Sequence, residues 1–401
     1  MNIFSKTFCR IYQSAFRIAM PLLPYRKPLI FTNVKECVPL FQKLNLNKIL
    51  LVTDSFLRTS GITKSLEDFM SQNNIKCVVY DKTNPNPTVK NVNEAKQLYI
   101  ENNCQGIIAF GGGSSMDCAK ATGACIAYPK KTLEQMKGLL KVWKKLPPLV
   151  AIPTTAGTGS EVTVTAVITN PEQKHKYTMN NFTMIPPFAV LDPEVTYSLP
   201  PSLTATTGMD ALTHAVEAYI GNSTTKETRS LALDATKLVF ENIQVAYNDG
   251  KNQKARANML KAAYKAGLAF SKSYVGYIHA VAHSLGGQYN IPHGLANSVL
   301  MPYVLESYGK CIHKKLKELS IAAGIGMESD SNEEAANNFI RAIRQMNKEM
   351  GIPEKLQGIK KEDIKTMAKH AAKEANPLYP VPKLMNAKQL EKFYYNVMEE
   401  K

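Results

Sequence analysis

Long apolar runs are missing from this sequence. No stretch approaches the roughly 18 uninterrupted apolar residues that a membrane-spanning helix needs. Paired Cys-x-x-Cys spacings are missing too, since the seven cysteines are scattered and odd in number. That pattern argues against a disulfide framework or a zinc knuckle. These absences predict a cytoplasmic protein with reduced thiols.

Acidic residues are scarce: 33 Asp and Glu stand against 49 Lys and Arg, giving a net charge of +16. A basic surface can attract nucleic acid, anionic lipid or a phosphate-bearing ligand. The sequence shows no nucleic-acid-binding module, and its aromatic residues are not interleaved with the basic runs. We therefore expect a solvated basic surface and no nucleic-acid partner.

Residues 1–35 contain no acidic residue. Apolar and basic residues there occupy different sides of a helical wheel. The pattern predicts a basic amphipathic helix within residues 1–25, ending near Pro21 and Pro24. Four roles remain open: contact with an anionic membrane or a protein shell, docking to a partner, packing on the chain's own domain, or a removable organelle presequence. The apolar side of the wheel consists of Phe4, Phe8, Ile11, Ala15, Ala19 and Leu22.

The chain's 401 residues suit two domains. From about residue 45, short apolar runs alternate with helical patterns, which is typical of a parallel sheet covered on both faces. After Leu199-Pro200-Pro201, helical patterns dominate. We expect a helix at 1–25, an α/β dinucleotide-binding domain at 26–199 and an all-α metal-binding domain at 200–401. The predicted strands are Lys48–Thr53, Cys77–Tyr80, Gly106–Phe110, Leu149–Ile152 and Ala189–Leu191; the predicted helices are 61–72, 89–102, 115–126, 201–220, 226–248, 253–272, 275–287 and 333–350.

A glycine-rich turn, GGGSSMD at residues 111–117, follows one predicted strand and opens a helix. Such a turn lets the backbone approach a pyrophosphate at the helix N terminus. It departs from the Gly-x-Gly-x-x-Gly pattern, so a tight turn without a ligand remains an alternative. A second polar loop, PTTAGTGSE at residues 153–161, suits either a ligand-facing loop or a helix N-cap.

Asp54 ends the first strand of this region. A carboxylate there can accept hydrogen bonds from the adenosine ribose and would repel a 2′-phosphate, so it favours NAD over NADP. The alternative is a helix cap before Phe56.

Histidines concentrate in one segment, since three of the seven lie between His279 and His293. His279 and His283 are one helical turn apart, as are Asp210 and His214 upstream. A carboxylate with several imidazoles suits a divalent first-row metal. Taken singly, Asp210 and His214 could be a helix ion pair, and His283 a core histidine.

Four separated motifs together resemble the iron-containing (group III) alcohol dehydrogenases, including the lactaldehyde, propanediol and butanol dehydrogenases. They are GGGSSMD, PTTAGTGSE, GMDALTHAVEAY at 208–219 and GYIHAVAHSLGGQYNIPHG at 276–294. The resemblance implies an α/β NAD-binding domain and a helical domain, with the active site in the cleft. It implies a metal held by Asp210, His214, His279 and His293, and an additional active-site histidine at His283. It places the cofactor on Asp54, Gly112, Gly113, Ser114, Asp117, Thr154, Thr155 and Lys176.

We therefore expect hydride transfer between NAD and a small primary alcohol or diol, or the reverse reduction of an aldehyde, with Fe²⁺ or Zn²⁺ as Lewis acid. His283 would relay the proton or orient the substrate hydroxyl. A homodimer is the expected assembly. The alternatives are a glycerol dehydrogenase-like or dehydroquinate synthase-like enzyme, and a surface-associated binding protein anchored by the N-terminal helix.

Overall fold

The computed structural model describes residues 3–171 and 175–399, except for the side chains of Pro21, His175 and Lys176. It divides the chain into two compact units. One unit is Pro24–Leu199, and the other combines Met1–Leu23 with Pro200–Lys401. The first unit is α/β and the second is helical, so the predicted combination of fold classes is confirmed.

The α/β unit contains a parallel six-stranded sheet. Its central strands are rich in apolar residues and buried on both faces, as parallel strands covered by helices usually are, whereas the two edge strands are partly exposed. They are, in chain order, β1 (Leu29–Phe31), β2 (Lys48–Val52), β3 (Lys76–Tyr80), β4 (Gly106–Gly111), β6 (Leu149–Pro153) and β9 (Phe188–Val190).

A smaller sheet accompanies it, made of β5 (Gly138–Leu139), β7 (Thr165–Asn170) and β8 (His175–Asn180). β7 and β8 are antiparallel, whereas β5 runs parallel to β8. The sequence analysis predicted none of these three strands, because polar residues interrupt their apolar pattern.

Alternate side chains of the large sheet enter two different cores, one on each face. Leu50 and Val52 belong to one core, while Ile49 and Leu51 belong to the other. This is the two-residue period of a strand. The first core is covered by α5 (Val89–Glu101) and α6 (Gly113–Ala127). The second is covered by α2 (Cys37–Lys43), α3 (Ser55–Thr59) and α4 (Lys64–Gln72).

The strand order β1-β9-β6-β4-β2-β3 reverses direction between β2 and β4. From β2 the chain moves outward to β3, and from β4 it moves the other way to β6. In open α/β sheets, ligands bind beyond the carboxyl ends of the strands at such a reversal. The topology therefore predicts that a ligand would bind near the residues that follow β2 and β4.

The second unit is a set of packed helices whose central members are buried over most of their length. Contacts are densest among the three helices that lie between residues 201 and 273. Within the described residues, no helix of either unit has the length and apolarity to cross a bilayer. The helices are α1 (Ile3–Ala19), α7 (Pro201–Ile220), α8 (Lys226–Asn248), α9 (Gln253–Ser273), α10 (Tyr277–Tyr289), α11 (His293–Tyr308), α12 (His313–Ala322), α13 (Asn332–Glu349), α14 (Lys361–Ala375) and α15 (Ala387–Val397).

Candidate metal centre and cofactor turn

Helix α7 carries the first two residues of the predicted metal site. Asp210 and His214 are buried on the same face, four residues apart, with His214 Nδ1 4.0 Å from Asp210 Oδ2. Two residues before Asp210, Gly208 brings α7 close to its neighbours. A Cβ at Gly208 would lie 2.6 Å from the side chain of Ile243 and 2.8 Å from that of Met259.

Helices α10 and α11 supply two more imidazoles. His279 is buried, with its Nε2 4.0 Å from Asp210 Oδ1, and His293 Nε2 lies 3.5 Å from the same oxygen. His293 is the first residue of α11, and the next residue, Gly294, touches the backbone of α7. A Cβ at Gly294 would lie 2.5 Å from the carbonyl oxygen of Thr206, so only glycine permits this approach.

The structure thus brings the four predicted metal-site residues together. One donor atom from each of Asp210, His214, His279 and His293 lies within 4.8 Å of the others. The buried Nε2 of His279 has no hydrogen-bond partner among the described residues. A buried polar atom without a partner is costly unless something else satisfies it. This nitrogen and the mixed nitrogen and oxygen donor set fit a divalent first-row metal.

Glu217 is a part of the site that the sequence analysis missed. Its buried carboxylate lies 2.7 Å from His279 Nδ1 and accepts the backbone N–H groups of Gly276 and Ile278 at 2.7 and 2.8 Å. Burial raises the pKa of Glu217 to about 7, although the backbone donors oppose this. Burial, followed by the neighbouring histidines, lowers the pKa of His279 well below its usual value. A hydrogen bond donated by Nδ1 leaves the Nε2 lone pair directed at the cluster.

His283 lies beside this cluster and is partly exposed. Its ring stacks on that of His293, with 5.1 Å between centroids. Its Nδ1 lies 2.6 Å from Glu374, and the Tyr379 hydroxyl donates to the same carboxylate oxygen at 2.7 Å. Burial opposes ionisation of Glu374, but the His283 charge and the two hydrogen bonds lower its pKa. A chain of polar groups thus runs from the cluster to Tyr379.

The glycine-rich turn and Asp54 follow adjacent strands of the α/β unit. β2 and β4 pair in parallel, Asp54 follows the end of β2, and Gly112 is the N-cap of α6 after β4. The Asp54 Oδ1 accepts the N–H of Leu57 at 2.9 Å and so caps α3. The cap that the sequence analysis offered as an alternative is therefore present. Gly112 and Gly113 are partly exposed at the start of α6, where backbone N–H groups lack partners within the helix.

Two other predicted cofactor residues, Ser114 and Asp117, have protein partners. Ser114 donates its hydroxyl to the Pro85 carbonyl. The two carboxylate oxygens of Asp117 accept the Ser160 hydroxyl at 2.9 Å and the Val167 N–H at 3.0 Å. Asp117 thus ties α6 to the polar loop and β7. A direct contact of these two side chains with a cofactor stays a prediction.

Thr154 and Thr155 lie after β6, in the loop beside the glycine turn. Thr154 is buried and donates its N–H to the Gly111 carbonyl at 3.0 Å, whereas Thr155 is partly exposed. Lys176 lies on β8, but its side chain is outside the described part of the chain. The turn and the loop are therefore in contact, as a shared binding surface requires.

Lys120 is a buried cation that the sequence analysis did not notice. Its Nζ lies 2.9 to 3.1 Å from oxygens of Ser160, Thr163 and Thr165. Burial lowers the pKa of Lys120 to about 8 and raises that of the nearby Glu161 to about 7. This hydrogen-bonded cluster holds the loop 153–161 against α6.

Known protein families match both parts of the chain. Residues 29–193 match the family model of iron-containing alcohol dehydrogenases, and residues 204–398 match the model of the C-terminal part of that family. The chain is 38% identical over 356 residues to Alcohol dehydrogenase 4 of Saccharomyces cerevisiae, covering 88% of this chain and 92% of that protein.

Solved structures give the same result. The crystal structure of a 1,3-propanediol oxidoreductase is similar with a TM-score of 0.90 and 34% identity, covering 94% of this chain and 100% of the other. Sulfoacetaldehyde reductase from Bifidobacterium kashiwanohense, in complex with NAD⁺, is similar with a TM-score of 0.83 and 28% identity, covering 94% and 99%.

Proposed function

Because this chain belongs to the iron-containing alcohol dehydrogenase family, we propose that its four-residue cluster is the metal centre of a small-alcohol dehydrogenase. Membership makes the chain an NAD-linked, metal-dependent oxidoreductase of alcohols. The observation that carries the assignment of residues is the convergence of four donor atoms within 4.8 Å.

We assign the metal to Asp210, His214, His279 and His293. When bound, a divalent metal supplies Lewis-acid stabilisation of negative charge on the substrate oxygen. Glu217 would keep His279 in the tautomer that offers Nε2. Asn297 donates to Asp210 Oδ1 at 2.7 Å, which would hold that carboxylate in position. The family description supports Fe²⁺, and Zn²⁺ suits the same donors.

His283 is proposed to orient the substrate hydroxyl and to accept its proton at Nε2. The proposal rests on position, because His283 lies beside the cluster and its Nδ1 contacts Glu374. The carboxylate would fix the ring orientation and stabilise its charged form.

NAD is proposed to lie at the reversal of strand order between β2 and β4. The start of α6 would bind the pyrophosphate, and the Asp54 carboxylate, while capping α3, would accept ribose hydroxyls. Thr154 and Thr155 would border the same surface, with Ser114 and Asp117 holding it in shape. NAD supplies the hydride acceptor, and the chain supplies position.

The proposed substrate is a short primary alcohol or a diol, or the corresponding aldehyde. Support comes from a relative named 1,3-propanediol oxidoreductase and from one named Alcohol dehydrogenase 4. We further propose a cytoplasmic homodimer. In the described residues, all seven cysteines are free thiols, which suits a reducing compartment.

The test is an anaerobic assay of NADH formation with chelator-stripped protein, to which Fe²⁺ or Zn²⁺ is returned. Ethanol, butanol, 1,3-propanediol and glycerol serve as substrates. We expect metal-restored activity on the first three and its loss in His279→Ala. Full activity of His279→Ala would refute the metal assignment, and a preference for glycerol would refute the substrate class.

A further inference from the structure

Helix α1 is attached to the helical unit by its polar side. Cys9 and Gln13 are buried, and the Gln13 amide and the Arg10 guanidinium donate to backbone carbonyls of residues 377–382 at 2.7 to 3.1 Å. The Phe16 ring meets Tyr274 edge-on at 4.9 Å. Charge-assisted bonds of this kind are among the stronger ones in proteins, so α1 is firmly held.

The apolar side of α1 consequently faces away from the core. At 100° per residue, four of its large apolar side chains occupy about a quarter of the helix circumference. An amphipathic helix of a globular protein normally buries this side. Here it forms an exposed apolar stripe, which is typical of a docking surface. The stripe consists of Phe4, Phe8, Ile11 and Ile18, which are 86%, 61%, 64% and 76% exposed.

Positive charge lies along one flank of the apolar stripe. A groove of about 910 Å³ runs between α1 and residues 382–389. Lys6, Arg10 and Lys383 line it together with Ile11 and Ile18, and no acidic side chain lines it. Arg17 is exposed on the same helix, and residues 1–35 contain no acidic residue. An apolar stripe with a cationic flank and no acidic residue on the same helix complements a surface that is apolar inside and anionic outside.

We infer that the apolar stripe of α1 docks on an anionic phospholipid bilayer. The helix lies in the plane of the interface, with Phe4, Phe8 and Ile18 at the boundary between headgroups and acyl chains. Lys6 and Arg17 contact lipid phosphates. Because polar contacts attach α1 to the helical unit, the whole enzyme is held at the bilayer surface.

A second copy of the chain is the less suitable occupant. Two-fold contact would place one apolar stripe on the other. The dimer would then carry the cationic flanks of both copies of α1 without an acidic counter-charge from either helix. Anionic lipid removes that repulsion, whereas a second copy of α1 adds to it.

Co-sedimentation of the full-length protein with vesicles tests the inference. The vesicles are pure phosphatidylcholine, or phosphatidylcholine with phosphatidylglycerol. The principal variant, F4S/F8S/I18S, changes three exposed side chains outside both proposed sites. Met327→Gln is the matched control, because Met327 is a 66% exposed apolar residue of the same unit. A charge variant, K6E/R17E, tests the electrostatic part.

We expect the wild type and Met327→Gln to sediment with anionic vesicles and less with neutral ones. The triple variant should bind at least about tenfold more weakly, and the charge variant should lose the preference for anionic lipid. NAD-linked activity and circular dichroism should be unchanged in all variants. Equal sedimentation of the wild type and the triple variant would overturn the inference. So would a triple variant that changes the oligomeric state in lipid-free solution, since the stripe would then be a contact between copies.

Discussion

Replacing Glu217 by Gln tests whether the metal centre depends on a residue that is not itself a proposed ligand. In the wild type, the Glu217 oxygens accept the N–H groups of Gly276 and Ile278 and contact His279 Nδ1. Gln has one acceptor oxygen, so in either amide orientation at least one buried N–H group opposes the new NH₂. Leaving one such group unsatisfied costs about 1 to 3 kcal/mol of folding free energy.

The effect on the metal should be the larger functional consequence. Loss of a carboxylate behind a ligating histidine typically weakens metal affinity by about 10- to 100-fold. At about 1.36 kcal/mol per tenfold change, this corresponds to about 1.4 to 2.7 kcal/mol. Competition of the protein with a calibrated chelator for Fe²⁺, under anaerobic conditions, measures the affinity, and thermal unfolding of the metal-free protein measures the stability.

Glu241→Gln is the matched control. Glu241 lies exposed on α8 in the same unit, 3.9 Å from Lys237, where an ion pair contributes little. We expect this variant to retain wild-type affinity and stability. Wild-type iron affinity in Glu217→Gln would refute the proposed dependence of His279 on its carboxylate partner.

Three further predictions follow from other contacts. Gly294→Ala should lose metal and activity, because its methyl group meets a backbone carbonyl. Gly208→Ala should lose only about 1 to 3 kcal/mol of stability and keep its metal. Metal analysis and denaturant unfolding distinguish the two variants. Asp54→Asn should keep the α3 cap but raise kcat/KM for NADP relative to NAD; an unchanged ratio would contradict this. The folded pKa of Glu161, about 7 against an ordinary 4.5, means that the wild type loses stability as pH rises between these values. Denaturant unfolding should therefore show the stability of Glu161→Gln, relative to the wild type, rising by at most about 1.4 kcal/mol per pH unit over that range.

Strong local patterns made much of the α/β unit predictable. The apolar runs near residues 48, 106 and 149 form β2, β4 and β6, because buried parallel strands need little more than a short apolar run between turns. β7 and β8 were not predictable in the same way. Their strand structure depends on pairing with each other, and polar residues such as Thr169 and Asn180 interrupt the apolar pattern.

The four clustered side chains were predictable, whereas their supporting groups were not. Asp210 and His214 share a helix face because of their spacing alone. Glu217 lies three residues after His214, inside the motif GMDALTHAVEAY, so a signal was present. Its significance depends on the start of α10, 59 residues later, because that is where its hydrogen-bond donors lie.

The same limit applied to α1. Its amphipathic pattern predicted a helix, but it did not predict which side of that helix would attach to the protein. Arg10 and Gln13 find their acceptors in residues 377–382, and no local pattern predicts a contact over such a separation.

The attachment of α1 also sets an order of events during synthesis. Arg10 leaves the ribosome 371 residues before Val381, whose carbonyl it binds. At roughly 5 to 20 residues per second, this gap lasts roughly 20 to 70 seconds. Throughout that time α1 lacks the part of the helical unit on which it packs and its final hydrogen bonds. Meanwhile the whole of Pro24–Leu199 is translated and can form its own core. The nascent chain therefore exposes a basic amphipathic segment to chaperones and lipid well before the enzyme is complete.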